Sequence, residues 1–170
     1  SHDLTRSLRT NQADGKSSLD GRGLDGARME AARFLAQASL GPSPQEIEQL
    51  ASTLNFDEWI ENQSRVYETV MTSEVQRAFN AARNARALTH DVSNYRNNFR
   101  HFQFAWWQSV MTNRDVLRQR IAQALSEILV ISSNSSIRGD GRIYASYYDI
   151  FLRNAFGNYR DILREVTLHP

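Results

Sequence analysis

Glu127 is a carboxylate in an otherwise apolar stretch, Ala124-Leu125-Ser126-Glu127-Ile128-Leu129-Val130-Ile131. A charge there must lie on a narrow exposed face or be buried and paired. Arg120 precedes it by seven residues, two helical turns back on the same face, with Gln123 and Ala124 between them. A buried carboxylate with an arginine nearby could be a catalytic group or a ligand site. Pairs of this kind are more often structural polar contacts inside helical cores. Tyr147-Tyr148-Asp149 offers further polar groups, although tyrosines on an amphipathic helix commonly pack with their hydroxyls at the rim. The candidate catalytic residues are therefore Arg120, Glu127 and Tyr148.

Other chemistries find less support. The chain has no cysteine, which removes disulfides, thiolate metal sites, covalent c-type haem and thiol catalysis together. His2, His90, His101 and His169 show no i, i+4 pairing with one another or with a matching acid, so no metal and no cofactor is expected from this chain alone. Gly15-Lys16-Ser17 resembles the end of a phosphate loop, but Thr10 stands where the first glycine belongs. Aromatic and basic residues mix from Tyr95 to Arg120, as in single-strand binders. The aromatics have core spacing, however, and a net charge of +1 lacks the basic excess that nucleic-acid binding needs. Of 20 basic residues only Lys16 is lysine, a bias that suits anion recognition but that a GC-rich genome favouring arginine codons explains better, as the net charge of +1 supports. Arg138-Gly139-Asp140 spells an integrin tripeptide, and Asn62-Gln63-Ser64 and Asn134-Ser135-Ser136 match glycosylation sequons; such short strings recur by chance.

The elements that must position these groups read as helices. Residues 1–25 are polar, glycine-punctuated and without an apolar face, and are expected to form a flexible leader. Ala31, Phe34, Leu35 and Ala38 predict a helix from about Arg28 to Ser39, stopped by Gly41 and Pro42. Ser43-Pro44-Gln45-Glu46 is a capping box with proline at the first helical position, and Ile47, Leu50, Ala51 and Leu54 follow on one face. Asp57 is expected to cap a short helix carrying Trp59 and Ile60. A polar helix is expected over 65–88, with Val66/Val70 and Tyr67/Met71 as its pairs, then weaker pattern over 84–98.

Phe99 to Met111 is apolar on several faces, which predicts a central helix. Asn113 is placed to cap the next helix, 114–131, where Leu117, Ile121, Ala124, Leu125 and Ile128 form a stripe. A loop is expected over 132–142, a helix over 143–156 ending at Gly157, and a last helix capped by Asn158 with Tyr159, Ile162, Leu163 and Val166 on one face. No stretch alternates like a strand. The class is all-α, an irregular bundle of about six to eight helices forming one domain over 26–170. Its longest aliphatic run, Ile128 to Ile131, is far short of the roughly 20 residues a membrane helix needs.

Four segments together resemble the bacterial family DUF1800, a domain of unknown function. They are Ala32 to Pro42; Trp59-Ile60 with Gln63; Leu117 to Ile128; and Tyr147-Tyr148-Asp149 continuing through 155–160 to Val166-Thr167-Leu168-His169-Pro170. Order and spacing agree along most of residues 28–170. The resemblance carries no established activity. It implies an exported protein, periplasmic or secreted, of several hundred residues, often encoded beside a sulfatase-like family that suggests a partner. It also implies further chain after Pro170, packed as part of a larger helical protein. Two functions follow as expectations: an accessory or scaffold protein working with a partner, or a helical enzyme whose site is completed beyond Pro170.

Overall fold

A computed structural model describes residues 26–131 and 139–169. Among them are eight helices and no strand, so the protein is all-α. The helices are α1 (Gly26–Ala38), α2 (Pro44–Ala51), α3 (Phe56–Arg65), α4 (Met71–Ala87), α5 (Phe99–Thr112), α6 (Val116–Ile128), α7 (Gly141–Arg153) and α8 (Tyr159–Leu168). The leader expected over 1–25, the Gly15-Lys16-Ser17 string, His2 and the second sequon lie outside the described residues. None of the described helices is long and apolar enough to cross a membrane.

The chain divides into two compact units, Ser1–Trp59 and Ile60–Pro170. In the first, α1 packs on α2 around Ala31, Leu35 and Leu50, and the Phe34 ring stacks on Phe56 and meets Trp59 edge-on. The local signals here are realised directly. Ser43 Oγ accepts the Glu46 N–H, the Glu46 carboxylate accepts the Ser43 N–H, and Gly41 takes φ +137°, which side chains avoid. Asn55, not Asp57, caps α3: its Oδ1 accepts the Glu58 N–H at 3.1 Å, and its amide donates back to the Glu58 carboxylate at 2.8 Å. The helix begins at Phe56, so Asp57 is already inside its first turn.

The second unit is organised by α7, which packs against α4, α5, α6 and α8. Nine of its thirteen residues are buried, with Ala145, Phe151 and Leu152 fully so. The central helix is thus α7 rather than α5, which buries only His101, Ala105 and Ser109. The other rings of α5 exceed what one helix face can bury, and three large side chains are left in solvent. In α6 the expected stripe is also displaced. Ile128 is 67% exposed, while the face that turns inward carries Arg118, Gln119 and Ala122, with Asp115 just ahead of the helix.

Helix α4 starts at Met71, six residues later than its expected start, and 66–70 lies outside any helix, with Val70 extended. Long-range carboxylates cause this. Asp115 accepts the Thr69 N–H at 2.8 Å and its hydroxyl at 2.9 Å, and Asp149 accepts the N–H groups of Met71 and Thr72 at 2.6 and 3.1 Å. A helical turn through 66–70 would withdraw the Thr69 and Met71 donors into its own ladder. Asn113, expected as the cap of α6, instead donates to Thr69 Oγ1 at 2.7 Å. At the other end of α7, Asp140 caps the helix by accepting the Arg142 N–H at 2.9 Å and pairs with its guanidinium. The carboxylate of the Arg138-Gly139-Asp140 string is therefore already engaged, while Arg138 lies outside the described residues.

Candidate functional site

Within the second unit, α5, α6 and α7, with Leu129, Val130 and Ile131 after α6, border a half-open pocket of about 240 Å³. Phe99, Phe102 and Trp106 reach it from α5 at i, i+3, i+7; Gln123 and Ser126 from α6 at i, i+3; Tyr144 and Tyr148 from α7 at i, i+4. Helical spacing alone brings each set onto one face. The rings meet edge-on, Phe99 with Tyr144 at 4.7 Å and Phe102 with Tyr148 at 6.0 Å between centroids, an arrangement that fixes their orientation.

The polar groups of this wall are few. Trp106 Nε1 donates to the Tyr148 hydroxyl at 3.0 Å, and the Tyr147 hydroxyl donates to the Leu129 carbonyl at 3.1 Å. The Tyr144 hydroxyl is buried and has no hydrogen-bond partner. Burial pushes the Tyr148 phenol up to about 12, with the Trp106 donor partly offsetting it and the Asp115 charge adding to it. Burial raises Tyr147 as well. Tyr148 is accordingly a neutral phenol at any physiological pH, a hydrogen-bond donor rather than a base.

Of the three candidate residues, Tyr148 lines the cavity, and Gln123 links the other two. Arg120 Nη1 donates to Gln123 Oε1 at 3.1 Å, and Gln123 Nε2 donates to Glu127 Oε1 at 3.2 Å. Glu127 is exposed, so its charge is solvated on the outer side of α6. Gln123 itself borders the cavity, which places the Arg120–Gln123–Glu127 relay beside Tyr148.

The most deeply buried charges are Asp115, Arg118 and Asp149, of which only Asp149 stood among the sequence candidates. Arg118 is two residues from Arg120 but turned about 200° around the helix. Its Nη1 donates to the Leu152 carbonyl at 2.8 Å, its guanidinium lies 4.8 Å from the centre of the Phe156 ring, and Glu68 stands 3.9 Å away. A cation on the last-turn carbonyls of α7 is favourable to that helix end. Asp115 and Asp149 serve as backbone acceptors rather than as a reactive pair. The available signal for Asp149 was its place after two tyrosines in an amphipathic helix, where i, i+4 from Ala145 marks a core position.

His101 and His169 are also held in structural hydrogen bonds. His101 Nδ1 accepts the Asn98 N–H at 3.1 Å, completing a capping box for α5, and its Nε2 is hydrogen bonded to the Tyr95 hydroxyl at 3.0 Å. His169 Nε2 is hydrogen bonded to Ser146 Oγ at 2.9 Å. That serine also donates to the Ile143 carbonyl, and no described carboxylate orients the imidazole from its other nitrogen, so the pair lacks the third member of a nucleophile relay. Among the described residues no three His, Cys, Asp or Glu side chains gather as a metal set.

A family model described as "Protein of unknown function (DUF1800)" matches residues 33–170. No curated protein and no solved structure matches the chain.

Proposed function

The chain belongs to the DUF1800 family, whose description assigns no activity, and we propose from its surface that it is an exported helical accessory protein that holds a protein partner against the outer face of α5. The observation that carries this reading is a stripe of large apolar side chains in solvent. Phe104, Trp107 and Met111 fall at i, i+3, i+7 on α5 and are 62%, 58% and 73% exposed. A contiguous aromatic and methionine stripe has the composition of an interface hot spot. Helix α5 has no acidic residue, and the exposed Arg100 and Arg114 stand at its two ends. The complementary surface is therefore apolar and edged with carboxylates.

The resemblance to an exported family supports a periplasmic or secreted location. It also makes the sulfatase-like protein often encoded alongside the first partner to test. Fractionation of cells expressing the natural gene checks the location, and recovery in the cytosol alone would refute it. Mixing the purified full-length protein with that sulfatase-like protein checks the partner. A stable complex weakened by Trp107→Ser supports the reading; no association with the sulfatase-like protein, or association indifferent to Trp107, counts against it.

One observation favours a second reading, a helical enzyme whose site is completed by chain following Pro170. Gln123 lies on the cavity with Tyr148 and bridges Arg120 to Glu127, so the three candidate side chains are joined through one amide. Glu127→Gln tests it. The exposed carboxylate contributes little to folding, so loss of a measured activity at unchanged melting temperature supports the enzyme, and retained activity removes Glu127 from it.

A further inference from the structure

We propose that the tip of the α4–α5 hairpin docks on an anionic phospholipid bilayer, with four arginines at the headgroups and Leu88 entering among them. The charge is local. From Arg83 to Arg100 the chain carries Arg83, Arg86, Arg96 and Arg100 against a single acid, Asp91, although the whole chain balances at +1. Packing gathers these arginines at one end of the unit. Helix α4 packs on α5, and at their joined ends the Tyr95 ring stacks on Phe79 at 5.6 Å while its hydroxyl is hydrogen bonded to His101 at 3.0 Å. The Arg86 guanidinium lies 5.8 Å from the centre of the Tyr95 ring, and Arg83 is one helical turn before it. Arg96 and Arg100 directly adjoin Tyr95 and His101 in the chain. All four are exposed, and among the described residues none is paired with a carboxylate.

Nearby acids leave most of this charge standing. Asp91, which accepts the Ser93 N–H and hydroxyl at 2.9 and 2.8 Å, offsets one arginine of the four. Asp140 is brought close where Gly141 approaches Asn98, but it is paired with Arg142 and adds no net charge. The apolar group sets the class of partner. Leu88, at the end of α4, is 85% exposed and falls in sequence between the two arginine pairs. An aliphatic side chain on a basic surface suits the boundary between headgroups and acyl chains. Single-stranded nucleic acid needs free aromatic faces on which to stack its bases, and here the Tyr95 ring is already taken up by Phe79 and Arg86. The stripe of Phe104, Trp107 and Met111 is not used, so this surface is distinct from the proposed partner face; Arg100 alone borders both.

The test sediments the full-length protein with vesicles of phosphatidylcholine alone and with vesicles rich in phosphatidylglycerol. Binding is expected to the second and not to the first, and should fall about tenfold or more between roughly 50 and 300 mM salt. Arg83→Gln and Arg96→Gln should each weaken it about fivefold, the loss of one arginine near an anionic surface. Leu88→Ser should weaken it about tenfold, and Trp107→Ser should leave it unchanged. The substituted side chains stand in solvent, so melting temperatures should not move and lost binding is not lost folding. A single-stranded oligonucleotide and polyglutamate, added at equal charge, should not displace the protein from the vesicles. Equal sedimentation with both vesicles, indifference to either the arginines or Leu88, loss through Trp107→Ser, or displacement by either competitor would overturn the proposal.

Discussion

Asp149 and Met71 stand 78 positions apart in sequence and are joined by a 2.6 Å hydrogen bond from the Met71 N–H to the Asp149 carboxylate. The same carboxylate takes the Thr72 N–H, so a residue of α7 caps the start of α4 while Val70, at the N-cap itself, offers no side-chain acceptor. One side chain thereby fixes both where α4 begins and how it meets the central helix. Asp149→Ala should leave two buried N–H groups unpaired and lower stability by about 2–3 kcal/mol. Asp149→Asn, which retains one acceptor oxygen, should recover part of that. Urea denaturation of the three proteins measures the order, and equal midpoints would refute the tertiary cap.

The same carboxylate gives a pH signature. Burial pushes the Asp149 carboxyl up, outweighing the N–H donors of Met71 and Thr72 and the nearby Arg153 charge. Above the ordinary value of 3.8 the unfolded state has released this proton while the folded state still holds it. The unfolded state then binds fewer protons, so stability from this group falls as pH rises through the folded value. Relative to Asp149→Asn, the wild type should therefore lose stability as pH rises above 3.8, and an increasing advantage would contradict the assignment.

Gly141 opens α7 against the N-cap of α5. A Cβ there would lie 2.5 Å from the Asn98 carbonyl oxygen and 2.7 Å from Asn97 Oδ1. Gly→Ala in an unobstructed helix stabilises by about 1 kcal/mol. Here the clash is with backbone, and Gly141→Ala should instead destabilise by about 1–3 kcal/mol, read as a lower melting temperature. A rise would show that the two helices do not approach this closely.

Arg118 holds the end of α7 through a planar fork and a stacked ring. Arg118→Lys keeps the charge but loses both geometries, and should cost about 2 kcal/mol or more. Arg120→Lys, at a half-buried position where the guanidinium donates to Gln123, should cost less than Arg118→Lys. Comparable losses in the two variants would show that the two arginines are not distinguished by burial.

This contrast shows what the sequence could and could not convey. Short-range signals were legible because their partners lie within one turn: the Ser43–Glu46 capping box, the Gly41 stop and the Asn158 cap of α8 all form. The all-α class was legible from periodicity for the same reason. The identity of the central helix was not, because ring content in α5 outranks that of α7 while burial depends on how many helices surround each. The start of α4 was hidden by acceptors 46 and 78 residues away. Two arginines separated by a single glutamine look equivalent in sequence, and only the packing of α6 on α7 sends Arg118 inward. Tyr148 was found because its helix position is regular, whereas the cavity it lines needs three helices to exist.

The central claim is that the outer face of α5 receives a protein partner. Hydroxyl-radical footprinting of Trp107 and Met111 tests it most directly, on the full-length protein alone and mixed with the sulfatase-like protein. Both side chains are predicted to be reactive in the protein alone and protected in the mixture, with Trp107→Ser weakening the complex at least about tenfold. Protection already complete in the protein alone, or reactivity unchanged by mixing, would contradict it.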